Sequence, residues 1–384
     1  MKGRRAAAVA LAGFSAFLNL YTPQAILPLI AAAFGVDVAH TGQTITASLV
    51  AVAVVAPFAG AISDRVGRKR LIVGACMLLS VPTLLVAGSQ SLEAMLVWRF
   101  LQGLTLPFIF TVTVAYLGEE TEGAESIRLA GIYSIGTILG GFGGRFVAGV
   151  AAEIGGWRAG FVVISVFTLL AGVAVAALLP AEQHFRAQRG GVRVQLAIWR
   201  GHLGNARLMA TCALGFLMLF SNVAIYTFVN IYLSAPPFLL SPAVMGGVFA
   251  VYLVGAATTA LATRLAIRFG QRLTLLLVMG LAAAGLVLTL LPALAAVVMG
   301  LAMVSGGLLV VQTLALGLIG VTVSHGRSAA VGMYVTTYYI GGALGGVVPA
   351  LAWGLAGWGG VVWLVLPVLA VMALLGWRFW PALR

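Results

Sequence analysis

Residues 60–71 read GAISDRVGRKRL and place five charged side chains in one short turn. The apolar runs on either side are TITASLVAVAVVAPFAG at 44–60 and IVGACMLLSVPTLLVAGS at 72–89. Each run is long enough to cross a bilayer core of about 30 Å as a helix. The stretch therefore predicts two membrane-spanning helices joined by a charged turn.

The composition of the whole chain excludes an ordinary soluble domain. Of the 384 residues, 62% are hydrophobic and only 8% are charged, and the mean hydropathy is +1.11. A soluble domain carries about 25% charged residues. Apolar runs recur along the sequence, which predicts a polytopic membrane protein. We expect the first run, after MKGRR, to be a membrane helix and not a signal peptide, because no small-residue cleavage site follows it.

The net charge of +13 is explained by where the basic residues lie. With the N-terminus in the cytoplasm, 19 of the 22 Lys and Arg fall on cytoplasmic loops or helix ends, and the exceptions are Arg99, Arg145 and Arg158. This is the positive-inside bias of membrane proteins. It predicts that both termini are cytoplasmic and that the basic loops meet membrane lipids. No nucleic-acid partner is expected.

The apolar runs predict twelve membrane helices in two halves. The N-terminal six-helix bundle covers 1–180, a polar and basic cytoplasmic linker covers 181–206, and the C-terminal six-helix bundle covers 207–384. The predicted spans are 8–33, 42–63, 70–89, 93–117, 128–151, 159–180, 207–233, 242–265, 272–292, 294–322, 328–355 and 359–380.

The two halves repeat each other. GIYSIGTILGGFGG at 131–144 matches GMYVTTYYIGGALG at 332–345, an offset of 201, with Gly at the first, tenth, eleventh and fourteenth positions and Tyr at the third. At an offset of 203, SDRVGRK at 63–69 matches AIRFGQR at 266–272. Two repeated six-helix halves are an architecture of transporters.

These motifs resemble the major facilitator superfamily over essentially the whole chain. The charged turn fits the family motif G-x-x-x-D-R-x-G-R-K, and RFLQG at 99–103 fits its helix-4 motif R-x-x-Q-G. The glycines at 131, 140 and 144 resemble those of drug/proton antiporters, although Arg145 stands where that pattern has proline. The segment from 140 to 161 resembles a branch of bacterial inner-membrane exporters. The resemblance implies an all-α polytopic fold of twelve transmembrane helices in two pseudo-symmetric bundles.

The resemblance also implies a conformational latch in the charged turn. The carboxylate of Asp64 would face the positive N-terminus of helix 11 near 327–330, and Arg68 would pair with Glu119 or Glu120. The glycines would allow close approach and a sharp turn. The alternative is a solvated loop that only fixes the orientation of the chain in the membrane. The residues of this latch are Gly60, Asp64, Arg65, Gly67, Arg68 and Lys69.

Two arginines inside predicted helices are candidate functional residues, because ionisable side chains in a membrane are costly. Arg99 resembles the helix-4 arginine of the family, which implies a role in proton coupling, and an arginine-lined cavity without acids would suit an anion. Arg99 and Arg145 should lie in one layer, about two turns from the periplasmic ends of neighbouring helices. No Asp or Glu lies in the middle of a predicted span, while Asp37 and Glu153 lie at periplasmic ends. Coupling could use Asp37 or Glu153, operate without a deep carboxylate, or be absent. Structural alternatives are that Arg99 pins helices 1 and 4 by bonding backbone carbonyls, and that Arg145 snorkels to the interface.

In the fold that the resemblance implies, helices 1, 4, 7 and 10 line the cavity with help from helices 2, 5, 8 and 11. Polar and aromatic residues on these helices predict an amide- and aromatic-lined pocket, and the alternative for any single aromatic is packing between helices. They are Asn19, Tyr21, Gln24, Gln43, Phe108, Tyr133, Asn222, Tyr226, Asn230, Tyr252, Gln312, Tyr334 and Tyr338.

The sequence therefore predicts a secondary active transporter and not an enzyme. We expect proton-coupled efflux of small organic compounds by alternating access, in the bacterial inner membrane, by a monomer. The alternatives are transport of a small anion through the arginines and a non-transporting membrane sensor or scaffold. No metal and no cofactor are expected, and the partners are the small-molecule substrate, protons and membrane lipids.

Overall fold

In the computed structural model, the structure describes residues 2–183, 199–323 and 327–380. The middle of the predicted linker, residues 184–198, lies outside this range.

The described residues form helices and no strand. We number the α-helices in chain order. They are α1 (Lys2–Leu20), α2 (Leu27–Phe34), α3 (Gln43–Val66), α4 (Arg68–Ala87), α5 (Leu92–Glu120), α6 (Gly123–Leu178), α7 (Ala206–Ser234), α8 (Pro242–Val248), α9 (Val251–Phe269), α10 (Gln271–Leu288), α11 (Leu294–Thr322), α12 (Arg327–Gly345) and α13 (Val348–Phe379). Short 3-10 helices at Thr22–Ile26 and Val38–Gly42 complete the set.

Eight of the described helices are long and apolar enough to cross a membrane, and the bent pair Gly3–Leu20 and Thr22–Phe34 would make a ninth. The 56-residue helix α6 is far longer than one span, since at 1.5 Å per residue it would extend about 84 Å. Its backbone leaves helical geometry at Gly155 and Gly156, so α6 consists of two consecutive helices. A matching break at Ala356 and Gly357 divides α13.

Three predicted spans contain breaks that the apolar pattern does not reveal. The span predicted at 8–33 ends its first helix at Leu20, because Pro23 and Pro28 begin new helical segments in which a missing N–H costs nothing. The span predicted at 242–265 is interrupted after Val248, and the one predicted at 328–355 is interrupted after Gly345.

The described residues divide into two compact units. The first unit contains the described parts of Met1–Val192 together with Ser241–Gly247, and the second contains those of Arg193–Leu240 and Val248–Arg384. In the first unit α1 packs on α6, α3 on α5, and α4 on both α5 and α6. In the second unit α7 packs on α12, α9 on α11, and α10 on both α11 and α13.

The repeated glycines have the same task in both units, which is to bring two helix backbones together. A Cβ on Gly140 of α6 would overlap the carbonyl of Phe14 in α1. The equivalent Gly341 of α12 lies against the carbonyl of Phe216 in α7 in the same way. Helices that approach this closely need small residues at the contact.

The charged turn and its repeat also have one backbone geometry. Gly67 has φ 103° and ψ 144°, and Gly270 has φ 84° and ψ 159°. Side chains other than hydrogen disfavour such positive φ values, so glycine is required for this tight connection between α3 and α4 and between α9 and α10. The sequence repeat therefore corresponds to a structural repeat.

Candidate functional site

The break after α1 leaves the carbonyl groups of its last turn without helical partners. An α-helix cannot satisfy its last four C=O groups internally. Asn19 and Leu20 lie at this end, and Asn19 is fully buried. A donor from another helix is therefore required inside the bundle.

Arg99 of α5 supplies these donors. Its Nη1 donates to the Asn19 carbonyl at 3.0 Å and its Nη2 to the Leu20 carbonyl at 2.6 Å. Its Nε donates to the carbonyl of Thr44 in α3 at 2.9 Å, and Nη1 also reaches Oε1 of Gln102 at 2.6 Å. The guanidinium is fully buried, and its charge faces the negative end of the α1 dipole. Arg99, which lies on α5, therefore holds the C-terminal end of α1 against α3 and α5.

A chain of amide and hydroxyl groups continues this network across the first unit. Asn19 Nδ2 donates to Thr168 Oγ1 at 2.7 Å, and Asn19 Oδ1 accepts from Thr83 Oγ1 at 2.6 Å. Gln102 Nε2 donates to Thr83 Oγ1 at 2.6 Å. The predicted cavity residue Asn19 therefore lies in the interior of the unit, bonded to helices α4 and α6. Sequence reasoning did not identify Thr83 or Thr168.

Arg145 of α6 approaches the same break at the next residues. Its Nε donates to Gln24 Oε1 at 2.7 Å and its Nη1 to the Gly141 carbonyl at 2.6 Å. Its guanidinium carbon lies 4.5 Å from the centre of the Tyr21 ring, within range of a cation–π interaction. Arg145 is 2% exposed, so it does not extend to an interface. The two arginines therefore lie against consecutive residues, 19–20 and 21–24, of one broken helix.

The two carboxylates at the helix ends have other contacts. Asp37 Oδ1 accepts from the backbone N–H of Ala39 at 2.7 Å, where it caps a 3-10 helix. Glu153 Oε2 accepts from Ser241 Oγ at 3.0 Å and from the backbone N–H of Ala243 at 3.1 Å. Both carboxylates bind helix starts, which favours negative charge.

In the charged turn, Arg68 joins α4 to both neighbouring helices. Its Nη2 lies 2.5 Å from Asp64 Oδ1 and 2.5 Å from Glu119 Oε1, and its Nε donates to Glu119 Oε2 at 3.0 Å. It also donates to Ser63 Oγ. Of the two acids that the sequence offered, Glu119 is the partner of Arg68.

The other latch residues lie around this ion pair. The Gly67 turn brings the Lys69 backbone N–H to Glu182 Oε2 at 3.0 Å. A Cβ on Gly60 would meet no atom within 4 Å, so the close approach expected at that residue is absent. Asp64 contacts Arg68 within the first unit, and the side chains of 327 and 328 lie outside the described residues.

Replacing Arg68 with glutamine should lower the free energy of unfolding by about 2 kcal/mol, since two carboxylates lose a charged hydrogen-bond donor. The matched control is Arg65→Gln, because exposed Arg65 makes no ion pair or hydrogen bond with the described residues. Its effect should stay within about 0.5 kcal/mol. Unfolding in mixed detergent micelles, followed by tryptophan fluorescence, measures both. Equal losses in the two variants would contradict the role given to Arg68.

The second unit contains a cluster of aromatic rings around one amide. The Tyr226 and Tyr252 ring centres are 4.6 Å apart, and Phe249 packs against both at 6.0 and 6.2 Å. Tyr252 OH donates to Asn222 Oδ1 at 3.0 Å, and Tyr226 OH donates to the Leu301 carbonyl at 2.7 Å. Within the described residues, Nδ2 of Asn222 donates to no acceptor; the residue is only 6% exposed, but this nitrogen is not among its fully buried atoms. Asn230 lies on the same helix, but its Nδ2 donates a hydrogen bond to the Tyr226 carbonyl.

The remaining predicted cavity residues do not join these clusters. Tyr133 covers Gly13, and Tyr334 covers Gly215 in the repeat of that contact. Tyr338 packs between Tyr334 and Tyr339. Phe108 lines an apolar groove between α4 and α5. Gln43 and Gln312 are half-buried, at the start of α3 and on α11.

Comparison with known proteins gives consistent matches over nearly the full length. The chain is 29% identical over 363 residues to YybF of Bacillus subtilis, an uncharacterised MFS-type transporter, covering 94% of this chain and 89% of that protein. It is 29% identical over 367 residues to the inner membrane transport protein YnfM of Escherichia coli, covering 96% and 88%. A partially occluded inward-open structure of the xylose transporter XylE from E. coli superposes with a TM-score of 0.77 at 12% identity, covering 99% of this chain and 98% of that one.

The family model of the Major Facilitator Superfamily matches residues 9–345. The two repeated units of membrane helices described above are the architecture of this fold. The chain is therefore a multi-pass membrane protein that belongs to the major facilitator superfamily, a family of transporters and not of enzymes.

Proposed function

We propose that this transporter exports small organic compounds that combine an aromatic or apolar body with a hydrogen-bond acceptor. Export would proceed by alternating access in exchange for protons. The observation that carries the proposal is the amide nitrogen of Asn222, which has no acceptor among the described residues and lies beside tyrosine rings.

The chemistry of this cluster supports a mixed apolar and polar ligand. The amide nitrogen of Asn222 is accessible, so a ligand acceptor can reach it and form a hydrogen bond in a site from which the ligand would exclude water. The Tyr252 hydroxyl occupies Asn222 Oδ1 and so orients the amide with its N–H groups free. The faces of Tyr226 and Tyr252 can stack on a planar ligand. A ligand carbonyl, hydroxyl or carboxylate would complete the arrangement.

The proposal also covers the residues that carry the proton, the conformational latch around Asp64 and the orientation of the chain in the membrane. Asp37 and Glu153 are the candidate proton carriers, because no described span has a carboxylate at its middle. The contact of Asp64 with the N-terminus of α12 would alternate with its contact to Arg68. We further propose that the protein works as a monomer in the bacterial inner membrane, with both termini in the cytoplasm.

Anion transport through both arginines is supported less well. Arg99 donates to four oxygen atoms of the chain itself, three of them backbone carbonyls. A substrate anion would have to displace these partners and leave the end of α1 unsatisfied. The hydrogen bonds of Arg99 therefore favour the structural role over anion binding.

Asn222→Leu should raise the KM for a transported compound about tenfold, which corresponds to the loss of one hydrogen bond of about 1.4 kcal/mol. The matched control is Ser221→Ala on the same helix, because the Ser221 hydroxyl donates to the Leu217 carbonyl of its own helix. Flux of a panel of aromatic compounds in proteoliposomes measures both variants. An unchanged KM in Asn222→Leu would exclude this amide from the binding site.

The same proteoliposomes test the exchange for protons. An acidic lumen should drive accumulation of the compound, and a protonophore should abolish it. Flux that ignores the imposed pH gradient would contradict proton coupling. Competition by small anions with no effect of neutral compounds would favour the anion alternative, and no flux of any compound would favour a sensor or scaffold.

A further inference from the structure

An elongated apolar groove with a volume of about 620 Å³ runs between α4 and α5 on the first unit. Its α4 wall extends from Arg70 to Leu85, which is about 22 Å at 1.5 Å per residue. One leaflet of a bilayer core is about 15 Å thick. The groove can therefore hold the full length of an acyl chain.

The exposed side chains of the groove are those of a surface that meets lipid. Leu78 is 56% exposed, Val81 51% and Leu101 37%, on helices that cross the membrane. A Cβ on Gly74 would meet no atom within 4 Å, so this glycine leaves open space in the α4 wall. Phe108 lies toward the Arg70 end, because α5 runs antiparallel to α4.

Arg70 gives one end of the groove a positive charge that no described residue neutralises. Its neighbour Arg68 is held by Asp64 and Glu119. Arg70 itself is exposed and makes no ion pair or hydrogen bond with the described residues. An unpaired guanidinium beside an apolar groove complements a phosphate headgroup joined to an acyl chain.

The second unit supplies a natural comparison. A groove of about 270 Å³ lies among α9, α10 and α11; Val278 and Leu281 of α10 and Met303 of α11 line part of it. At the repeat offset of 203, Val278 and Leu281 correspond to Ala75 and Leu78 of the first groove. Arg70 corresponds to Leu273. The repeated groove has therefore kept its apolar wall and lacks the charge.

We propose that the α4–α5 groove is a binding site for an anionic phospholipid, with the acyl chain along the groove and the headgroup on Arg70. This site is independent of the substrate site proposed above. One basic residue at a membrane surface favours an anionic headgroup by about fivefold.

The test uses full-length protein with a tryptophan reporter at Phe108, reconstituted with phosphatidylglycerol or phosphatidylcholine that carries brominated acyl chains. The measured quantity is the additional quenching relative to protein with Phe108. Phosphatidylglycerol should bind about fivefold more tightly than phosphatidylcholine at this reporter. The preference should fall to about one in Arg70→Gln and stay about fivefold in the control Arg65→Gln.

Two further variants separate the groove from general attraction to basic loops. Gly74→Leu should fill the groove and reduce quenching by both lipids, and a Met303→Trp reporter should show a preference of about one. Equal binding of the two lipids at the Phe108 reporter would overturn the proposal. So would a preference that survives Arg70→Gln, or an equal preference at the Met303 reporter.

Discussion

Replacing Arg99 with methionine is expected to lower the free energy of unfolding by about 3 to 5 kcal/mol, the range for removing one partner from a buried charged network. The physical reason is the end of α1. The carbonyls of Asn19 and Leu20 lose their donor, and the Gln102 amide loses its charged partner. Unfolding in mixed micelles measures the loss, and Arg99→Lys should recover part of it because an ammonium has fewer donors.

The control for Arg99 is Arg158→Met. Arg158 also donates to a backbone carbonyl, that of Ser89, and stacks on Trp157, but it is exposed. Its loss should cost about 1 kcal/mol. The contradicting result would be an Arg99→Met variant that is as stable as the parent protein and loses only the response of transport to a pH gradient. Arg99 would then be a coupling residue, and its role in holding the end of α1 would be wrong.

Gly140→Val is expected to prevent close packing of α1 on α6 and to destabilise the protein by about 3 kcal/mol, at the upper end of overpacking effects. The carbonyl of Phe14 occupies the place that a Cβ would need, and backbone atoms cannot move aside as a side chain can. Gly341→Val should act in the same way on α7 and α12, because the carbonyl of Phe216 lies in the same position.

Gly131→Val serves as the control for Gly140→Val. Gly131 lies on the same helix and in the same repeated motif, but a Cβ there would meet no atom within 4 Å. Both changes alter helix propensity equally, so the difference in unfolding free energy isolates the packing term. Similar losses in the two variants would show that propensity, and not contact with α1, governs these glycines.

The sequence predicted that the two halves pack alike, because glycines at matching positions of two membrane helices indicate matching close contacts between helices. The matches at 131–144 and 332–345 predicted two equivalent halves, and the structure pairs Gly140 with Phe14 and Gly341 with Phe216. The breaks in helix 1 and after Val248 were harder to place. Apolar periodicity continues through them, and proline indicates a kink without showing which distant side chain will satisfy the freed carbonyls.

In the candidate site, too, the sequence indicates some residues and not the partners that the fold brings to them. Arg99 and Arg145 are conspicuous in an apolar chain, and the structure brings both to residues 19–24. Thr83 gives no such signal, since its hydroxyl oxygen also lies 2.6 Å from the Leu79 carbonyl oxygen of its own helix, an alternative acceptor for the same proton. Nothing local distinguishes a threonine that only bonds its helix from one that joins a network.

The position of Phe108 shows that residue types alone do not identify which face of a membrane helix lines the interior. Both faces of α5 are apolar around Pro107, so the residue types do not show which face meets the interior. The structure puts Phe108 in the groove toward α4. The second unit lacks a counterpart of Arg99, since Gly300 and Ala302 occupy the positions at the offsets of 201 and 203, and the Tyr226 hydroxyl donates to the carbonyl of Leu301 between them.

The contact between Arg99 and the end of α1 also has a consequence for biogenesis. The two partners are about 80 residues apart, and α1 is synthesised first. An arginine entering lipid alone would face a cost of about 2.5 kcal/mol or more. The unsatisfied carbonyls at the end of α1 can accept hydrogen bonds from this arginine as α5 leaves the translocon. We therefore expect α1 of the nascent chain to stay beside the insertion channel until α5 has been inserted.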